Sequence, residues 1–220
     1  MVPVVSYLAL RGRCGRCHAK IPLRVLVTEA GTGAIFLGLA LQYGLGTEFA
    51  VLAAAASLLI VIVGIDWEHQ LILDVVSYPA AVAALALAAF WPEIGFARSF
   101  WGDSGAMGSF LNSLLTGLGL CGAFALVAKL TNGLGWGDVK LVLVLGFLLG
   151  YPAGLFAVWL GAIAGGMYGM WLIVVRKKGR KSEIPYGPFL AGGGIAALFL
   201  QSEVLERYYE ITASMVTGLP

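Results

Sequence analysis

Seven apolar stretches dominate the chain: Val25–Tyr43, Phe49–Ile65, Val75–Trp91, Met107–Ala128, Val139–Gly150, Ala153–Val175 and Pro188–Leu205, joined by polar links. Roughly 20 apolar residues span a bilayer core of about 30 Å, and a helix satisfies its own backbone polar groups there. The pattern therefore predicts an all-α membrane protein, a polytopic bundle of about seven transmembrane helices. With 60% hydrophobic and 12% charged residues, too little polar surface remains for a water-soluble domain of this size. The fifth stretch is short, which suits a continuation past Tyr151 or a partial helix lined by its neighbours. Ahead of Arg24 no apolar run is long enough for a secretory signal.

The net charge of +2 says less than where the charges lie. Five of the fourteen Lys/Arg fall between Arg11 and Arg24 and five more between Arg176 and Lys181. Both clusters directly flank apolar segments and lack interleaved aromatics. That is the pattern of cytoplasmic loops, so the expected partner is the lipid bilayer and no nucleic acid. If the N-terminal cluster is cytoplasmic, one crossing per stretch puts Asp66–Asp74, Ala128–Asp138 and Arg176–Tyr186 on the same side. The opposite loops hold only Arg98 among the basic residues. The expected division is a cytoplasmic cysteine-containing segment over 1–24, a membrane domain over 25–210 and a tail over 211–220.

Two links on the predicted cytoplasmic side carry the chemistry. Gly133-Leu134-Gly135-Trp136-Gly137-Asp138 is a glycine-rich turn that delivers Asp138 to the mouth of the fifth stretch, where Lys140 is the only other charge before Gly150. Ile65-Asp66-Trp67-Glu68-His69-Gln70-Leu71-Ile72-Leu73-Asp74 closes the second stretch. An aspartate at the edge of hydrocarbon is costly and tends to be functional. Either one alone could merely flank its helix; two on one side, 72 positions apart, point to a pair. Facing carboxyls in a partly dry site share one proton and can act together as acid and base on a peptide bond. A proton relay through Asp66, Asp74 and Asp138 in a transporter or channel is the competing class, but no matched repeat with paired broken helices accompanies it. An inactive pilus-assembly scaffold that keeps the fold is a further alternative. No phosphate-binding loop or nucleophilic-serine elbow is present. Gly161–Gly166 and Ala191–Gly194 read as small-residue faces for close helix packing.

These motifs resemble those of the type IV prepilin peptidases, intramembrane aspartyl proteases of the G-x-G-D type. Gly135-Trp136-Gly137-Asp138-Val139-Lys140-Leu141 is similar to the second aspartate motif of that family. Ile65-Asp66 through Asp74 is similar to the first, with Leu73 where a proline normally stands, and Ile184-Pro185-Tyr186-Gly187-Pro188 is similar to the segment before the last helix. The resemblance implies catalytic Asp66 and Asp138, with Gly135, Gly137, Lys140 and Asp74 in support. It also implies a prepilin or pseudopilin substrate with a basic leader, a glycine before the cut and an apolar helix after it, and a bacterial inner-membrane location. No cofactor is expected for the peptidase.

The resemblance extends to the N-terminal region, where Val2–Leu8, Arg11–Cys17, Glu29 and Gly33 are similar to the end of a cytoplasmic domain and the start of the following helix. The first helix and first C-x-x-C usual in the family are missing. Cys14 and Cys17 thus supply half of a four-ligand zinc site, with His18 a candidate third ligand. Bifunctional members also methylate the new amino terminus with S-adenosylmethionine. Gly12 and Glu29 match positions of the region involved, so the peptidase is the expected activity and the methyltransferase stays open.

Overall fold

A computed structural model of the chain describes residues 3–96, 98, 105–131, 134–176 and 185–217. Its helices are α1 (Pro3–Ala9), α2 (Leu23–Tyr43), α3 (Thr47–His69), α4 (Asp74–Ala88), α5 (Ala106–Thr131), α6 (Trp136–Leu149), α7 (Ala153–Arg176) and α8 (Gly187–Thr217). Among the described residues the only extended pairing is a single bridge between Arg13 and Lys20. Five helices, α2, α3, α5, α7 and α8, are long and apolar enough to cross a membrane. The protein is therefore an all-α, multi-pass membrane protein.

All seven expected stretches are helical, and two of them, α4 and α6, are short, with 15 and 14 residues. At 1.5 Å per residue α6 is about 21 Å long, well short of a hydrocarbon core of about 30 Å. It starts only at Trp136, after Gly135 in extended geometry, and stops at Gly150, whose φ of 62° no longer continues a helix.

The chain forms two compact units, Met1–Ile60 and Val61–Pro220. In the first, α1 leads into a turn held by the Tyr7 hydroxyl donating to the Ile21 carbonyl at 3.2 Å, and α2 exposes apolar residues such as Val27 and Leu41, as a lipid-facing helix does.

In the second unit α6 is the central element. Ten of its fourteen residues are buried, and α4, α5, α7 and α8 pack around it. A short helix enclosed by longer ones can begin below the membrane surface, because neighbouring protein replaces lipid around its polar end. Glycines allow the close approach. A Cβ built on Gly146 of α6 would lie 2.4 Å from the Gly117 Cα of α5, and one on Gly193 of α8 would lie 2.2 Å from the Ala157 carbonyl oxygen of α7. Gly161 and Gly165 are also close-fitting, their added Cβ atoms 2.8 Å from the Leu190 Cα and 2.5 Å from the Tyr186 ring, whereas Gly166 and Gly192 face open space. Each small-residue face thus splits into a packed stripe and an outward one, as helical spacing requires.

Candidate active site

Asp66 lies in the last turn of α3 and Asp138 in the first turn of α6. The Gln70 N–H donates to the Asp66 carbonyl at 2.9 Å, and Gln70 takes the left-handed φ of 51° that ends α3. The link to α4 then runs back across the bundle end. Both acids are buried, Asp66 at 5% and Asp138 at 9% exposure, and both line one cavity of about 510 Å³ with Ile72, Gly135, Gly137 and Lys140. They are near enough for the charge on Asp66 to act on Asp138. Residues at a helix C-terminus and a helix N-terminus, far apart in sequence, meet at one end of the unit.

The two carboxyls have matching surroundings. The backbone amide of Gly135 faces Asp138 and that of Gly187 faces Asp66. Both amides stand at the starts of helices, where N–H groups have no partner within the helix. Asp66 Oδ2 is buried, and among the described residues no group hydrogen-bonds to it, so a water molecule in the cavity can donate to it. The fit at Gly187 is close: a Cβ there would lie 2.5 Å from Asp66 Oδ2 and 3.3 Å from Ile72 Cδ1. A Cβ at Gly137 would lie 3.0 Å from Ile72 Cβ, and one at Gly135 would lie 3.2 Å from Asp138 Oδ2.

Lys140 and Asp74 occupy the rim. Residues two apart on a helix leave the axis in nearly opposite directions, and Lys140 reaches across to α4. There it pairs with the Asp74 carboxylate and lies 5.3 Å above the Tyr78 ring. Asp74 lines the same cavity as the two buried acids and is tied to α6 through Lys140. Gly133, Ile184 and the basic cluster beyond Arg176 lie outside the described residues.

Two features have no counterpart in the residue-by-residue expectations. Tyr186 precedes α8 and packs its ring against α7, where a Cβ at Gly165 would lie 2.5 Å from it. Burial, and then the nearby charge of Asp138, push its phenol above the usual range, so it remains a neutral O–H donor. At the other end of the unit Arg98, the one basic residue expected in the opposite loops, is completely buried. It stacks 4.4 Å from the Trp91 ring centroid and donates from Nη1 to the Leu148 carbonyl at 2.8 Å. Beside it Asn112 clamps Tyr151, accepting from its N–H at 2.7 Å and donating to its carbonyl at 3.2 Å. A cluster of backbone-directed polar groups thus fixes the α6–α7 corner far from the aspartates.

Cys14 and Cys17 share a tight turn closed by the His18 N–H donating to the Cys14 carbonyl at 3.0 Å. Backbone hydrogen bonds from Cys17 and Arg16, and a side-chain one from Cys17, lower the Cys14 thiol below its ordinary value. Among the described residues no three His, Cys, Asp or Glu side chains converge as metal ligands. This turn does not fit a closed tetrahedral zinc site within one chain.

Residues 53–170 match the type IV leader peptidase family, and residues 1–43 match the bacterial peptidase A24 N-terminal domain. A prepilin leader peptidase/N-methyltransferase of Pseudomonas putida is 32% identical over 205 residues, covering 92% of this chain and 68% of that protein. One of Burkholderia pseudomallei strain K96243 is also 32% identical over 205 residues, with 90% and 62% covered. One of Bacillus subtilis strain 168 is 26% identical over 216 residues, with 96% and 80% covered. The chain thus spans 62% to 80% of the length of these relatives. No solved structure matches it. With more than half of its length inside the first match, the chain belongs to the type IV leader peptidase family.

Proposed function

We propose that the protein is an intramembrane aspartic endopeptidase that removes the basic leader from type IV prepilin or pseudopilin precursors, with Asp66 and Asp138 as its catalytic residues. One observation carries this reading: two buried carboxyls from different helices share a cavity at the end of the helical unit.

The chemistry follows from their shared proton. One carboxylate takes a proton from a water molecule as its oxygen attacks the scissile carbonyl. The other carboxylic acid gives its proton to the carbonyl oxygen, forming a gem-diol. Collapse of the gem-diol returns a proton to the leaving nitrogen and breaks the C–N bond. The amides of Gly135 and Gly187 hold the two carboxyls in place, and Asp74 paired with Lys140 anchors α4 to α6 at the rim. A substrate whose leader stays in the cytoplasm while its apolar helix lies in the bilayer presents its cut site at this depth. That sidedness and an inner-membrane location belong to the same reading. The relatives' names also include an N-methyltransferase. The reading commits to the peptidase, and methylation of the new amino terminus with S-adenosylmethionine stays an open second activity that rests on those names.

The test is co-expression with a prepilin, followed by electrophoresis for leader loss. The unaltered chain is expected to shorten the precursor, and Asp66→Ala and Asp138→Ala are each expected to leave it intact. An uncleaved precursor with the unaltered chain would refute the reading.

A further inference from the structure

The segment between α3 and α4 places one apolar side chain of the first aspartate motif, Ile72, against two other helices. After the left-handed Gln70 the chain is extended, with Leu73 at φ −71° and ψ 129°, so successive side chains alternate in direction. Leu71 and Leu73 point outward, 54% and 39% exposed, while Ile72 between them is 8% exposed. It touches two glycines on different helices. A Cβ at Gly137, the residue before Asp138, would lie 3.0 Å from Ile72 Cβ and 3.3 Å from its Cγ1. A Cβ at Gly187, beside the Asp66 carboxyl, would lie 3.3 Å from Ile72 Cδ1. One β-branched side chain thus bridges from the start of α6 to the start of α8, and it lines the same cavity as both acids.

We propose that Ile72 is a specificity-determining residue that restricts the residue on the leader side of the scissile bond to glycine. The inference rests on the peptidase reading above. Ile72 belongs to the link that also contributes Gln70 and Asp74 to the polar rim, so it meets the substrate on its polar, leader side and not on the side of the bilayer-embedded helix. A β-branched side chain has few rotamers. With glycine backbone against both of its ends, Ile72 cannot swing aside, and the volume next to the carboxyls stays filled. A substrate Cβ at that position would compete for the space of an Ile72 methyl group. Adding a methylene-sized group against a fitted apolar wall changes discrimination by roughly 10- to 200-fold.

The test compares kcat/KM for prepilins carrying Gly, Ala or Ser before the cut, using purified unaltered protein, Ile72→Val and Ile72→Ala. The Ala-to-Gly ratio is expected to rise about tenfold or more in Ile72→Ala and by a smaller factor in Ile72→Val. A ratio that stays the same in variants still cutting the glycine precursor overturns the inference and leaves the peptidase reading standing. Loss of glycine cleavage in both variants overturns it too, because Ile72 then serves packing alone. If the unaltered protein does not cut the glycine precursor, the peptidase reading fails, and this inference with it.

Discussion

Gly187→Ala should separate catalysis from stability. Gly187 is the first residue of α8, its φ is not left-handed, and an alanine methyl there would lie 2.5 Å from Asp66 Oδ2 and 3.0 Å from Cγ. Reaching ordinary contact near 3.4 Å moves that oxygen by about 0.9 Å. The carboxyl is the end of a side chain and can swing, so the backbone has no need to give way, and replacing a helical glycine adds up to about 1 kcal/mol of stability. The displacement therefore falls on a proposed catalytic group, where an error of about 1 Å costs on the order of 100-fold. We expect kcat/KM for prepilin cleavage to fall about 100-fold, with thermal unfolding in detergent unchanged or slightly raised. Gly192→Ala, on the same helix with no atom within 4 Å of the added Cβ, should keep full activity. Cleavage by Gly187→Ala within about threefold of the unaltered protein would refute the reasoning.

Other outcomes follow from the same geometry. Gly146→Ala drives a methyl into the Gly117 backbone, where no side chain can move aside, and should destabilise by about 2–3 kcal/mol in a denaturant titration; Gly119→Ala, which meets nothing within 4 Å, should not. Arg98→Ala leaves the Leu148 carbonyl without its buried donor, and should cost roughly 1–3 kcal/mol of stability while the folded protein keeps its cleavage rate. The Asp74–Lys140 pair is partly exposed, so a double-mutant cycle on stability with Asp74→Asn and Lys140→Met should give a coupling below about 1 kcal/mol. Because the Tyr186 phenol titrates above its ordinary value, it stays protonated below about pH 10. Tyr186→Phe should therefore leave the alkaline limb of the pH–rate profile in place up to that pH, and a limb that disappears in this variant would contradict the assignment.

Much of the fold is legible in the sequence because lipid imposes so few solutions. Every predicted stretch is a helix, with most ends within a few residues, since apolar runs and polar links alternate so clearly. The depth of α6 is less legible: an apolar run of 12 residues reads the same whether it crosses part of a membrane or lies inside a ring of longer helices. Asp66 and Asp138 could be placed on one side by counting crossings, which says nothing of a shared cavity. Ile72 is invisible in Leu71-Ile72-Leu73, where three similar residues acquire different exposures only because Gln70 reverses the chain. Arg98 reads as an ordinary loop cation, since its Trp91 and Leu148 partners come from distant positions. Lys140 and Asp74 stand 66 positions apart, and only the packing of α4 against α6 joins them.

The central claim is that the two buried acids work as one unit, and single-turnover cleavage of a purified prepilin by Asp66→Asn, Asp138→Asn and the double variant tests it most directly. Each single change should lower the rate by about 1,000-fold or more, and the double variant should be no worse than the poorer single, because groups acting as a unit are strongly non-additive. A single variant that cuts within tenfold of the unaltered protein, or losses that multiply in the double variant, would contradict the account.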